Sequence, residues 1–324
     1  MSKRASTLAG LLSGLAIALA AMPAAAMDKV KVGVFPVSSS LPYFVALERG
    51  FFKEQNIEPE MIRLIGGPPN VAAMITNQID AAAVLVTIEG MNANIKKPGV
   101  AMYISINSQN QKYQMEQFVI HKGVQAKTLA DLKGKKIMSA PGPANVTMAK
   151  AALAAAGLKE GDYTIDQLDM GQHVNAMTAG TFDAGYTLEP NASTMRKLGV
   201  ATTLEAGVIA KYILGDPNAN AFVAGGALTS DFVKNRPDVA KRYTAAWGKA
   251  VNFINTNPTE ARKHLLKNTF TPPDVVDTVP MILYVMAKDL TTKDKESYQK
   301  FIDFSVKTGT LEKPIDVTKY LQTF

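Results

Sequence analysis

The sequence predicts an α/β protein of two lobes joined by a hinge, with a ligand cleft between them. Three observations predict it. The first is an internal echo at a shift of 103 positions, which lays Val71, Ala73, Met74, Asp80, Ala81 and Leu85 on Val174, Ala176, Met177, Asp183, Ala184 and Leu188. Each copy reads as a helix with its apolar residues at i, i+3 and i+4, a tight polar turn, an acidic residue and a short apolar strand. The second is the alternation of such strands with helices along most of the chain, the pattern of sheets covered on both faces. The third is a break into polar, unperiodic sequence over 107–112, followed by an apolar strand over 221–228 that returns to the first lobe. Two chain crossings between two α/β lobes fit a hinged clamp better than two independent domains.

Residues 1–26 read as an export signal: Lys3 and Arg4, an apolar run over 8–21, then Ala24-Ala25-Ala26. That run is too short to span a bilayer with ordinary flanks. Cleavage after Ala26 leaves 298 of the 324 residues, about two domains' worth. No cysteine is present, so the core must hold by burial alone, and no lipid-modified cysteine can tether the mature protein. A soluble monomer in the periplasm is expected.

The mature chain opens with a strand over 29–34 (KVKVGV). Ser38, Ser39 and Ser40, ahead of Pro42, then cap a helix over 43–55 that buries Phe44, Leu47, Phe51 and Phe52. Strands over 59–64 and 100–106 flank the first echo unit, which predicts a parallel βαβαβαβ sheet with right-handed crossovers. Past the hinge, strands over 117–121, 136–140, 163–168 and 200–204 surround the second unit. Helices are expected over 229–234, 237–255, 258–267, 273–287 and 293–307. The long one carries Val239, Tyr243, Ala246, Trp247, Ala250 and Phe253 at core spacing. Residues 27–107 with 223–324 then form the first lobe and 108–222 the second.

Composition excludes several classes of function. The formal charge of +7 falls to +5 without Lys3 and Arg4, and the basic residues are scattered. Nucleic-acid binding would want a basic stripe with interleaved aromatics. The chain has no His-Glu-x-x-His, no G-x-S-x-G in the mature part and no phosphate loop, since Gly66-Gly67 is followed by two prolines. His121 and His264 read as surface residues. No metal or cofactor is expected.

Ligands of such sheets bind beyond the carboxyl ends of the strands. Four strand-to-helix turns offer backbone N–H groups and small polar side chains there, and helix starts of this kind hold anions without a basic side chain. The candidate ligand residues are Ser38, Ser39 and Ser40; Pro68 and Asn70; Gly142 and Asn145; and His173. Thr87, Thr187 and Glu189 at strand ends, and Asn107 at the hinge, complete the set. Two carboxylates, Glu89 and Glu189, sit just past the strand ends; they either pair with a ligand ammonium group or serve the structure as ion-pair or cap, and the structural role is favoured.

In several segments the chain resembles the periplasmic substrate-binding proteins of importers for nitrate, sulfonates, taurine and bicarbonate, which are of the ABC class. The resemblance rests on PYFVALERGFF over 42–52, Ile79-Asp80, DLKGKK over 131–136, GTFDA over 180–184 leading to Glu189-Pro190, and NRPDV over 235–239. It implies a type II periplasmic-binding-protein fold that closes on a small molecule and docks on a membrane permease, without enzymatic activity. No Arg or Lys falls on an expected pocket turn, so a carboxylate or a mostly neutral ring compound stands beside a sulfonate as ligand. A subunit presenting a ligand to a membrane sensor would look the same in sequence. The chain is also similar to the thiamine-pyrimidine synthases of fungi, but those enzymes depend on a cysteine-rich motif that is missing here.

Overall fold

The computed structural model describes residues 26–269 and 271–324; the expected export signal lies almost wholly outside them. Eleven strands among the described residues form two mixed sheets. β1 (Asp28–Val34), β2 (Ile57–Arg63), β3 (Ala81–Val86), β4 (Met102–Gln109), β10 (Ala221–Leu228) and β11 (Leu283–Met286) make the first, in the order β11-β4-β10-β3-β1-β2. β5 (Glu116–His121), β6 (Lys136–Ser139), β7 (Thr164–Gln167), β8 (Ala184–Leu188) and β9 (Ala201–Ala206) make the second, in the order β7-β6-β8-β5-β9.

The two sheets share one topology. In each, three consecutive strands run parallel, the first of the three pairing with the second and third: β1 with β2 and β3, and β6 with β7 and β8. In each, the strand that follows a chain crossing is then inserted antiparallel beside the third: β10 in the first sheet, β5 in the second. This corrects the all-parallel expectation, because β4 pairs with β10 and not with β3. A crossing strand enters from the far lobe already reversed, so it fills the slot that a local βαβ unit would have taken.

The echo has a physical basis. Asp80 accepts a bond from the Lys31 amide through Oδ2 at 2.8 Å and donates its own amide to the Lys31 carbonyl at 2.8 Å. Asp183 does the same to Lys136, at 2.8 Å in both directions. The repeated aspartate thus ties the entry to the third strand onto the neighbouring first strand. Asn70 and Asn145, outside that echo, each donate to the carbonyl four residues back, Gly66 at 2.8 Å and Pro141 at 2.6 Å.

Several element expectations need correction. The helix over 43–55 is two, Leu41–Glu48 and Phe51–Glu54, parted at Gly50, whose φ of 75° ends the first. The expected helix over 273–287 is largely absent: a 3-10 turn, Val276–Thr278, leads to edge strand β11, antiparallel to β4. Pro280 withholds a donor, and β-prone Ile282 to Val285 gain more by pairing than by coiling. The polar run from Asn107 begins inside β4, so the crossings follow Gln109 and Ala206. Residues 258–267 break into Pro258–Arg262 and Leu265–Asn268.

The long helix Pro237–Thr256 packs on the first sheet, with Tyr243 and Trp247 fully buried and the Trp247 indole donating to Ser105 Oγ at 2.8 Å. Apolar burial also joins the sheets. Met115, Ala140, Met170 and Leu188 of the second unit share a cluster with Phe35 and Val37 of the first.

Candidate functional site

The strand ends of both sheets meet along this apolar seam, and the candidate residues fall into three groups by what they bond to. At the first junction, Ser38–Ser40 form a buried 3-10 turn after β1. The Ser38 amide donates to the Glu189 carbonyl across the units at 3.2 Å. The Asn107 amide donates to the Ser39 carbonyl at 3.0 Å, and Tyr284 OH donates to the Ser38 carbonyl at 2.7 Å. Ser40 Oγ is spent on the Phe35 carbonyl at 2.6 Å, while Ser38 Oγ and Asn107 Oδ1 are buried without a partner. Ser38, Ser39, Asn107 and Glu189 are therefore brought together.

A second group is spent on the protein itself. Thr87 Oγ1 donates to the Phe222 carbonyl at 3.1 Å and so holds β3 to β10. His173 is fully buried, with Nδ1 2.8 Å from Thr187 Oγ1 and Nε2 2.9 Å from the Leu168 carbonyl. A carbonyl can only accept, so Nε2 carries the proton and Nδ1 accepts from the Thr187 hydroxyl. Burial pushes the imidazole pKa down and keeps the ring neutral. Asn70 and Asn145 turn back onto their own loops, as described above. The Glu189 carboxylate is fully buried: Gln117 and Arg196 donate to Oε1 at 2.5 and 2.9 Å, and the Ser193 amide donates to Oε2 at 3.1 Å. It both pairs and caps, the structural role favoured from sequence.

The third group surrounds Glu89. Its helix, Thr87–Lys96, starts directly after β3, and the side chain reaches the turns that open two other helices, Gly67–Ile75 and Pro143–Ala155. A Cβ on Gly67 would lie 1.2 Å from Oε2, and one on Gly142 would lie 3.0 Å from Oε1. These glycines, one from each unit, leave the space the carboxyl occupies. Pro68, at the helix start, lines the same turn, and Gly142 keeps a φ of 101° and donates its amide to Gln167 Oε1 at 2.9 Å. Oε2 has no partner, and burial pushes the Glu89 pKa up to about 7. Beside it opens a crevice of about 260 Å³, walled by Ile88, Glu89 and Asn92 on one side and Pro143, Ala144 and Thr147 on the other, with 308–310 at the end.

Sequence reasoning left Glu89 open between a ligand ammonium and a structural ion pair or cap, favouring the latter; it has neither ion pair nor cap bond. Its signal was faint: an acidic residue in the first turn of a helix after a buried strand, opposite glycines that only the tertiary structure brings near. Glu116 was not anticipated at all. It opens β5, is buried, leaves Oε2 without a partner, and burial pushes its pKa up to about 8. Among the described residues no cluster of His, Asp and Glu could hold a metal ion.

Comparison with known proteins places this geometry. A binding protein of Brucella abortus is 24% identical over 218 residues, 67% of this chain; the chain spans 64% of that relative's length. A Bacillus subtilis protein described as binding aliphatic sulfonates is 23% identical over 90% of this chain and 85% of its own. The alkanesulfonate-binding protein SsuA of Xanthomonas axonopodis pv. citri, solved with MOPS, superposes with a TM-score of 0.72 at 19% identity, covering 92% of this chain and 99% of that one. The ligand-binding component of an ABC-type import system from Staphylococcus aureus, solved with zinc, gives 0.73 at 16% identity over 91% and 97%. The fold is that of the periplasmic binding proteins, as the resemblance implied. A model described as NMT1/THI5 like matches residues 38–261, and the chain belongs to that family.

Proposed function

We propose that the chain is the solute-binding component of an ABC importer, exported to the periplasm, which captures one small polar molecule between its lobes and delivers it to a membrane permease. The lobes are built on the two sheets, 28–109 with 221–324, and 116–206. The observation that carries this reading is the crevice at Glu89, where strand ends of both sheets meet. At about 260 Å³ it is smaller than the pockets that hold drug-sized compounds, which suits a small solute. The names of the similar proteins support the class.

Capture implies a hinge motion about the crossings after Gln109 and Ala206. A thermal-shift screen of small sulfonates, carboxylates, amines, inorganic anions and pyrimidines tests it. A ligand present at 100 times its Kd adds about 2.7 kcal/mol of stability by mass action, so a binder is expected to raise the melting temperature by several degrees. A screen without any shift, together with turnover of one of these compounds, would sink the binding reading in favour of an enzyme.

A further inference from the structure

We infer that the Glu89 crevice receives the protonated amine of the captured solute. The inference rests on the solute-capture reading and adds the chemistry of the guest.

Among the described residues the carboxyl is the only ionisable group on the crevice walls, which hold no Lys or Arg. Of the other polar side chains there, all but the half-buried Thr147 hydroxyl are occupied. Asn92 donates to the Thr310 carbonyl at 2.7 Å and accepts from the Glu312 amide at 3.1 Å, and Thr308 and Thr310 share a bond of 2.9 Å. Glu89 Oε2 is left over, on a side chain 9% exposed. A buried acceptor of that kind costs free energy until a donor arrives.

The second argument is positional. Helix starts attract anions, and an anionic solute would need those at Gly67 and Pro143. The protein's own carboxyl already lies against both turns, within 1.2 and 3.0 Å of where Cβ atoms of residues 67 and 142 would stand. An added anion there would meet like charge in a desolvated site. An ammonium group supplies the missing donor and a charge pair where water is excluded, and Coulomb attraction is strong there.

Charged groups around Glu89 do not change the sign. Tyr103 of β4 lies close enough to feel its charge and donates its hydroxyl to the Val86 carbonyl at 3.2 Å. Lys96, further along the helix, is paired with Glu312 at 2.7 Å and is exposed. Helix Gly67–Ile75 carries no ionisable residue, and Lys150 of helix Pro143–Ala155 is paired with Glu160. In the free protein the carboxyl titrates near pH 7, so below that an amine must displace a proton. Apparent affinity for an amine should fall about tenfold from pH 8 to pH 6, and affinity for an amine-free anion should move the other way.

Three matched solutes separate the cases by calorimetry: ethanolamine (ammonium with a neutral tail), taurine (ammonium with a sulfonate) and isethionate (sulfonate with a neutral tail). Ethanolamine or taurine should bind at pH 8, weaken about tenfold at pH 6, and weaken at least about tenfold in Glu89→Gln, whose own binding should be flat with pH. Which of the two binds tells whether the amine comes alone or with an anionic end. Glu89→Asp should keep the pH dependence with weaker binding, and thermal melts confirm that both variants fold. Isethionate binding at pH 8 that survives Glu89→Gln would overturn the amine site while leaving solute capture intact. So would a broad solute panel whose binders all lack an amine. A panel with no binder at all removes both readings.

Discussion

Single carboxyls decide much of the chemistry here, and their surroundings set opposite roles. Glu189 is buried with Arg196, Gln117 and the Ser193 amide around it, so its charge is satisfied. Glu116 is buried without such partners, and burial pushes its pKa up to about 8 from an ordinary 4.5. Between those pH values the native state holds a proton that the unfolded chain has released, so this residue's contribution is greatest below about 4.5 and is lost as the pH rises to about 8. Glu89 acts in the same sense up to about 7. Glu116→Gln should therefore leave stability near pH 4.5 unchanged and raise it by on the order of 5 kcal/mol at pH 9, read from urea midpoints. Neither carboxyl could be assigned from the string, since an acidic letter does not say whether a cation will be folded beside it.

At the level of elements, the two aspartates of the echo are the clearest case of sequence showing structure. Each ties its third strand to its first. Asp80→Ala and Asp183→Ala should each cost about 1–2 kcal/mol in denaturant unfolding, and the double variant should cost about their sum, because they sit in different sheets. The strands of the echo were readable because burial on both faces leaves a run of apolar letters. Edge strand β11 was not. Residues 273–287 carry apolar spacing that a helix also shows, and the choice fell to pairing with β4, a partner more than 170 positions away. The place of β10 between β3 and β4 was hidden for the same reason.

The whole molecule turns on its two crossings. Gly207, at the end of β9, has a φ of 64°, and a Cβ there would lie 2.7 to 2.9 Å from backbone atoms of Asn110 and Gln111 in the other crossing. Backbone cannot yield as a flexible side chain can. Gly207→Ala should cost about 1–3 kcal/mol and part the crossings, weakening solute capture by about tenfold although the residue touches no crevice wall. Small-angle scattering with and without ligand, beside a titration, checks both effects. A variant that binds and compacts like the parent would show the crossings to be passive.

The sequence by itself determined the α/β class, the doubled unit and the regions from which a site could be built, because periodicity and turn chemistry are local and survive in a one-letter string. Only the tertiary structure decided what each candidate does. Thr87, His173 and Asn145 have the same polar character as Ser38 or Asn107, yet they are spent on neighbouring strands and loops. Glu89 is singled out by two glycines, one of them more than fifty positions away in the other unit, and by the absence of a cation between them. Hydrogen-bond satisfaction and desolvation depend on what surrounds a group in space, and that surrounding exists only once the two sheets have met.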